Sequence, residues 1–285
     1  MQVIFNADDF GYSTNVNAAV IQAHKHGVLT SASLMVTGNA VDEAIRIAQD
    51  TPTLAVGLHI VLLQGRAVLP AGAIPDLVDQ NGYFEGHPVK AGVRYFINPK
   101  VQKQIQLELE AQFKRFIETE LTLSHVNGHL NFHMHPTVLH LLIPLAEKYQ
   151  AHGLRVPRDE FWKSIHYDRR HPGTKLMWAI TFYLLVQSSK RKLERQSCTI
   201  THRVYGLMQS GQMQDNYVLG LLNSLNVPTA EIYFHPSILE TGDPLGPNLR
   251  DFQCLLNPKI KELIHQRGIQ LATYTDLYEE QGRHD

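Results

Sequence analysis

Two adjacent carboxylates, Asp8 and Asp9, stand where the apolar run Val3-Ile4-Phe5 should end as a first strand, within Asn6-Ala7-Asp8-Asp9-Phe10-Gly11. In α/β folds the C-terminal ends of the strands form the face where ligands collect. Neighbouring side chains on an extended backbone point to opposite sides. Where the chain turns, both can serve one site, one holding a metal ion and the other taking a proton. The competing reading is a solvated Asp-Asp turn closed by Gly11.

Histidine supplies the second constellation, with 16 residues in a chain of 285. From His125 to Pro136 the odd positions hold His, Asn, His, Asn, His, His and the even positions Val, Gly, Leu, Phe, Met. Such alternation predicts an extended segment with one imidazole-rich face and one packing face. A helix would also align His125, His129 and His133, but Gly128 and Pro136 favour a strand end running into a helix start. A lone histidine is usually a hydrogen-bonded structural residue. Four imidazoles in eleven residues each need a partner once desolvated. A metal ion is one such partner, and imidazole suits Zn, Fe, Ni or Co. His59, closing Val56-Gly57-Leu58-His59, and His235, closing Glu231-Ile232-Tyr233-Phe234-His235-Pro236, each stand where another apolar run stops. One carboxylate and two histidines with positions open to water make a recurrent hydrolytic metal site.

To bring these residues together the strands must be parallel and their ends must converge. The sequence predicts strands at Val3–Phe5, Ser33–Val36, Leu54–His59, Leu121–Asn127, Val204–Gly206, Glu231–Phe234 and Ile269–Thr273. Between them fall helices at Asn15–His26, Val41–Asp50, Val101–Glu120 and Thr137–Tyr149. One junction recurs three times, a helix, a glycine and an apolar strand, at Gly27, Gly153 and Gly268. Glycine accepts the left-handed conformation after a helix end. Seven or eight right-handed βα units close most naturally into a barrel, with a doubly wound open sheet as runner-up. No glycine-rich phosphate fingerprint follows the first strand, which argues against a dinucleotide site. The expectation is a single domain over 1–285 with two interruptions. One is a Gly/Pro-rich excursion at 61–99 that reads as loops over the catalytic face. The other is an insertion at 161–196, where the apolar run Leu176–Val186 precedes Lys190-Arg191-Lys192 and Arg195. That run is too short to span a bilayer. It reads as a buried helix with a solvated basic end or as a helix lying in a membrane interface.

A hydrophobic fraction of 44% and a charged fraction of 19% allow an ordinary, sizeable core. The net charge of −1 offers no global field to steer the chain onto nucleic acid. Cys198 and Cys254, far apart in sequence, predict a reducing compartment and no disulfide framework. The opening residues enter a strand at once, which predicts no signal leader and a cytoplasmic protein.

Together, Asn-Ala-Asp-Asp-Phe-Gly at 6–11, Gly-Leu-His at 57–59, His-x-Asn-x-His-x-x-x-His at 125–133 and Phe-His-Pro at 234–236 resemble the YdjC/ChbG family of carbohydrate deacetylases over nearly the whole chain. The stretches 26–36, 74–78 and 125–127 look most like its hopanoid-biosynthesis-associated branch, HpnK. The resemblance implies an irregular (β/α) barrel akin to the polysaccharide deacetylase (NodB-like) barrel. It also implies one divalent metal ion, Mg or Zn with Mn or Co as further candidates, and removal of an N-acetyl group from an amino sugar. Carried over residue by residue, it makes Asp9, His59 and His129 the metal ligands. Asp8 becomes the general base, His235 the general acid and Arg155 the residue that orients the base. His125, Asn131 and His133 become substrate contacts. Many relatives carry further histidines directly after the position of His129, where this chain has Leu130 and Asn131.

On that resemblance, the ion polarises the acetyl carbonyl and acidifies a water, Asp8 takes the proton, and His235 as imidazolium protonates the departing amine. The HpnK likeness implies a hopanoid glycolipid as substrate, peripheral contact with the inner membrane through 176–195, and a homodimer as a permitted assembly. N-acetylated oligosaccharides of the chitooligosaccharide type are the alternative substrate. A metal-dependent phosphoester hydrolase is a third reading, but its paired metals need more carboxylates than the strand ends supply.

Overall fold

The computed structural model describes residues 1–242 and 245–282, so the last three residues of the expected 1–285 span lie outside the described residues. Eight strands, β1 (Gln2–Phe10), β2 (Ser31–Leu34), β3 (Ala55–Ile60), β4 (His125–Gly128), β5 (Gly153–Leu154), β6 (Arg203–Tyr205), β7 (Thr229–Phe234) and β8 (Gln270–Leu271), form one sheet. The helices are α1 (Thr14–His26), α2 (Val41–Gln49), α3 (Pro88–Ile97), α4 (Pro99–Ile117), α5 (Pro136–Lys148) and α6 (Phe161–Tyr167). They continue as α7 (Pro172–Leu193), α8 (Asp215–Ser224), α9 (Leu249–Leu256), α10 (Pro258–Gln266) and α11 (Tyr274–Gly282).

Every strand pairing is parallel, in the order β5-β4-β3-β2-β1-β7-β6. β8 and β2 share one edge of β1: Met1 and Val3 carbonyls accept from Gln270 and Ala272, and the Phe5 carbonyl accepts from Thr30. The sheet is curled. A single parallel bridge, Gly153↔Thr199, spans the seam between β5 and the chain entering β6. This is an α/β fold with a curled parallel sheet, and most strand residues are buried on both faces, as parallel sheets require.

The inner face is polar, which period-two alternation explains. Asn6 and Asp8 on β1, Ser31 and Ser33 on β2, His59 on β3, His125 and Asn127 on β4, and Glu231 on β7 are all buried. The alternate residues Val3, Phe5, Ala32, Val56, Leu58, Val126, Ala230 and Ile232 belong to the hydrophobic core. Gly57 belongs to the inner set for reasons of space, because a Cβ there would lie 2.5 Å from the His125 ring. Both cysteines are free and buried.

Four expectations change. Of the three junction glycines only Gly268 has positive φ (59°). At Gly27 a side chain would strike the Leu255 carbonyl, and at Gly153 the Tyr274 ring, so close packing selects those two. The 61–99 excursion contains a regular helix, α3, started by Pro88 and capped by His87. Its inner residues Ala91 and Tyr95 are buried while Val89, Val93, Phe96 and Ile97 are exposed. The apolar run at 176–186 lies inside a 22-residue helix, α7, with one face packed and the other in solvent. Finally, the alternation of 125–135 does not describe one strand. β4 stops at Gly128 and a 3-10 turn follows over His129–Met134, with Leu130 and Asn131 in left-handed conformation.

Candidate active site

β1 delivers both carboxylates to one place because its backbone departs from regular extension at its end. Its pairing register with β2 shifts between Ala7 and Phe10, a bulge of the kind that re-aims side chains. Asp9 sits at φ 61° and Gly11 at φ 89°. Asp8 points inward as alternation demands, and the left-handed turn at Asp9 swings the next carboxylate to the same mouth.

Asp8 is buried and held from several sides. Arg155, which follows β5, donates from Nη1 to its Oδ2 at 2.6 Å and from Nη2 to its Oδ1 at 2.8 Å. Asn6 and Asn127 donate to Oδ1 at 2.9 and 3.3 Å. The Nε2 of His235, at the end of β7, lies 3.9 Å from Oδ2. Burial opposes ionisation of Asp8, but the Arg155 guanidinium outweighs it and holds the carboxyl well below its ordinary range. Arg155 in turn donates to Glu231 Oε1 from Nε at 2.9 Å and from Nη2 at 2.6 Å, and it stacks over Tyr233 at 4.3 Å. Tyr274 donates to the other Glu231 oxygen at 2.7 Å. The result is a buried carboxylate–guanidinium–carboxylate chain with every heavy donor occupied, the condition under which buried charge is tolerated.

Asp9 forms a different cluster. His129 Nδ1 lies 3.0 Å and His59 Nε2 3.4 Å from its Oδ1, and one ligand atom from each of the three residues falls within 4.8 Å of the others. The fit of this trio to a cation can be tested on its hydrogen bonds. Asn127 donates from Nδ2 to Ser33 at 2.8 Å and to Asp8, so its carbonyl oxygen must face His59. His59 Nδ1–H donates to that oxygen at 2.6 Å. Its Nε2 therefore presents a lone pair to the Asp9 carboxylate, and both Nε2 and Asp9 Oδ2 are buried without a hydrogen-bond partner. A lone pair aimed at a carboxylate repels unless a cation lies between them, so the donor set fits a divalent ion. Burial works against the Asp9 charge, and the His129 ring beside it holds its carboxyl well below its ordinary range.

Asp8, Asp9, His59, His129, Arg155 and His235 thus share one mouth. The remaining three residues divide. Asn131 is buried, its Nδ2 donating to the Tyr233 hydroxyl at 3.1 Å and its Oδ1 without a partner. His125 and His133 are buried beneath the site. His125 Nε2 pairs with Ser33 at 2.9 Å while its ring stacks on Tyr274, and His133 Nε2–H donates to the Arg155 carbonyl at 3.0 Å. Burial drives the pKa of each down to about 3. His135 likewise faces the Gly92 carbonyl at 3.1 Å. The structural reading thus holds for three of the four clustered imidazoles, and only His129 joins the cation trio.

Several functional residues escape a reading of strand ends alone. Asn127 fixes the His59 tautomer, Glu231 holds Arg155, and Asp251 secures His235. The Asp251 carboxylate accepts from the His235 amide at 2.9 Å and from the Met213 amide at 3.1 Å, and burial raises its pKa to about 7. The period-two recurrence of polar residues in Asn6/Asp8 and Glu231/Tyr233/His235 was the available signal. Nothing local marks Asp251.

The chain resembles known proteins along its whole length. It is 32% identical to a carbohydrate deacetylase of Brevibacillus brevis over 97% of this chain and 100% of that protein. A carbohydrate deacetylase of Geobacillus stearothermophilus is 31% identical over 96% of this chain and 97% of its own length. Among solved structures, a putative cellobiose-phosphate cleavage protein from Enterococcus faecalis superposes with a TM-score of 0.73, at 27% identity, covering 97% of this chain and 98% of that one. The profile described as YdjC-like protein matches residues 2–266, and the chain belongs to that family.

Proposed function

We propose that the protein is a metal-dependent carbohydrate deacetylase that hydrolyses the N-acetyl group of an amino sugar. The observation that carries this reading is the pairing at one mouth of an Asp-His-His trio, Asp9, His59 and His129, with a carboxylate locked to a buried arginine. Relatives named carbohydrate deacetylases span the whole chain and support it. The likeness of 26–36, 74–78 and 125–127 to the hopanoid-associated branch supports a lipid-carried amino sugar as the substrate. N-acetylated oligosaccharides are the second candidate.

A divalent ion held by Asp9, His59 and His129 supplies Lewis acidity toward the amide carbonyl and the attacking water. The residues around it do the rest. Asp8 Oδ1 is saturated by donors from Asn6, Asn127 and Arg155, which leaves Oδ2 as the oxygen that accepts the proton of the attacking water. Arg155 keeps that carboxylate ionised and fixed in direction. His235 Nε2 faces the same oxygen across 3.9 Å. Burial pushes its pKa down while Asp9 and Asp8 pull it up, so near neutral pH the resting ring is largely neutral. It acquires the proton during the reaction, from the Asp8 side, and delivers it to the departing amine. Asn131 Oδ1, buried and without a partner, would accept from a substrate hydroxyl or amide N–H that reaches it.

Among the described residues one cation cluster is found, and the other nearby carboxylates, Asp8 and Glu231, are committed to Arg155. This disfavours a paired-metal phosphoester hydrolase. The decisive experiment measures acetate release from N-acetylglucosaminyl lipid and from N-acetylated chitooligosaccharides, before and after chelation. Release that chelation abolishes and one added divalent metal per chain restores supports the proposal. Phosphate release from a phosphoester without any deacetylation overturns it.

A further inference from the structure

Each of the two segments that interrupt the βα rhythm carries a helix with an exposed apolar stripe. On α7 the residues Lys175, Trp178, Ala179, Phe182, Val186, Ser189 and Leu193 turn toward the body of the protein, fully or partly buried. The opposite face carries Leu176, Met177, Ile180, Tyr183 and Leu184, all exposed, Tyr183 by 63%. Their spacing places them in one stripe, and Arg191 continues it at the C-terminal end. Trp162, on the adjacent α6, is 80% exposed. On α3 the exposed residues Val89, Val93, Phe96 and Ile97 make a second stripe, with Lys90 and Arg94 in the same helix. Both helices adjoin the turn His129–Met134 that carries a cation ligand. α7 packs directly on it, and Tyr95 of α3 meets its Phe132 ring edge to face at 5.6 Å.

Charge identifies what this surface suits. Residues 161–196 hold eight Lys and Arg against two acidic residues, in a chain whose net charge is −1. Lys190, Arg191, Lys192 and Arg195 cluster beyond the apolar stripe, and Arg169 precedes it, with Arg170 beside it paired to Asp168. A two-fold pairing of α7 with a second copy would set these clusters against one another, whether the helices ran parallel or antiparallel. An anionic partner neutralises both ends at once. A groove of about 640 Å³ along the same helix, lined by Phe182, Tyr183 and Val186, extends the apolar surface onto its flank, its Arg158, Lys190 and Arg203 balanced by Asp159, Glu160 and Glu194. Among the described residues no helix is long and apolar enough to cross a membrane.

We propose that α3 and α7 form a docking face on which the protein rests at an anionic lipid bilayer. The exposed apolar side chains enter the interface, and the Lys/Arg clusters contact the head groups. The catalytic mouth beside the His129–Met134 turn then opens toward that surface. The inference takes its purpose from the deacetylase reading, but vesicle binding is read without turnover, so the two can fail separately.

The test sediments the full-length protein with vesicles of phosphatidylcholine alone and with added phosphatidylglycerol. The expected result is co-sedimentation that needs phosphatidylglycerol and weakens as salt rises. The triple variants K190E/R191E/K192E and I180S/Y183S/L184S should each weaken it at least about tenfold. Both sets of positions are exposed and lie outside the catalytic machinery, so acetate release from a soluble N-acetylated oligosaccharide should stay at the parental rate. No sedimentation with anionic vesicles overturns the proposal, as does equal sedimentation of parent and variants. It is likewise overturned by a solution dimer that I180S/Y183S/L184S converts to monomer while vesicle binding is absent.

Discussion

Asn127 shows how much of the site depends on a residue that touches neither substrate nor cation. Its amide is oriented by Ser33 and Asp8, and it sets which nitrogen of His59 is left to face Asp9. Asn127→Leu removes that instruction. Zn or Mn affinity should fall about 10- to 100-fold by calorimetry, as when partners of metal-ligating residues are lost, with little change in helical content. Asp8 tests a different function. Asp8→Asn keeps the volume and one acceptor but takes away the proton acceptor, so kcat for acetate release should fall by about 10² to 10⁴-fold while metal affinity holds. A variant at the parental rate would remove Asp8 from the role of base. His59 was legible in the sequence because it stands where an apolar run stops, whereas the choice of Asp9 over Asp8 and of His129 among four clustered imidazoles came from the family resemblance. The burial of His125 and His133 was not legible, because an alternating pattern does not reveal which face the body of the protein covers or that β4 stops at Gly128.

At the level of elements, the end of β7 is held by the first turn of α9. Asn248 caps that helix by accepting from the Asp251 amide at 2.9 Å. Asp251 in turn accepts from the His235 and Met213 amides, and the Asn248 amide donates to the His235 carbonyl at 2.8 Å. Asp251→Ala strands two buried amides, each worth about 1–3 kcal/mol. The melting temperature should drop and kcat should fall further than KM rises, because His235 loses its place rather than the substrate its contacts. A wholly KM-borne effect would sink this assignment. Strands and most helices were readable from periodicity, within a few residues. α3 was not, since Gly92 and its neighbouring prolines look like loop composition. The outer stripe of α7 was not either, because apolar residues all round a helix give no sign of which face the body of the protein covers.

For the whole molecule, pH is the most direct probe of the polar interior. His125 and His133 carry folded pKa values of about 3, against an ordinary 6.5. Groups with depressed folded values contribute stability that is present above 6.5 and lost as pH falls toward 3. Each contributes a slope of about 1.4 kcal/mol per pH unit. Asp251, raised to about 7, works the other way, its contribution being lost as pH rises through that value. Buried Asp159, raised to about 6, and Glu108, also raised, act with Asp251, while His135, His152 and His235 are lowered like His125 and His133. Five depressed imidazoles against three raised carboxyls leave the unfolding free energy falling on acidification from pH 6.5 to 5 in denaturant titrations, and His125→Gln should lessen the slope. A flat profile in the parent protein would mean these imidazoles are not sealed from water.

The backbone at Asp9 has one further implication. A non-glycine residue at φ 61° stores about 1 kcal/mol of strain, and its carboxylate leaves one buried oxygen uncompensated. Asp9→Gly relieves both but also loses the His129 contact, so after exhaustive dialysis against chelator it should melt close to the parent, yet it should be catalytically silent. The parent should rise well above it when Zn is restored, since only the parent gains from the ion. The first strand therefore ends in a conformation that the isolated polypeptide disfavours and that its cargo would make worthwhile.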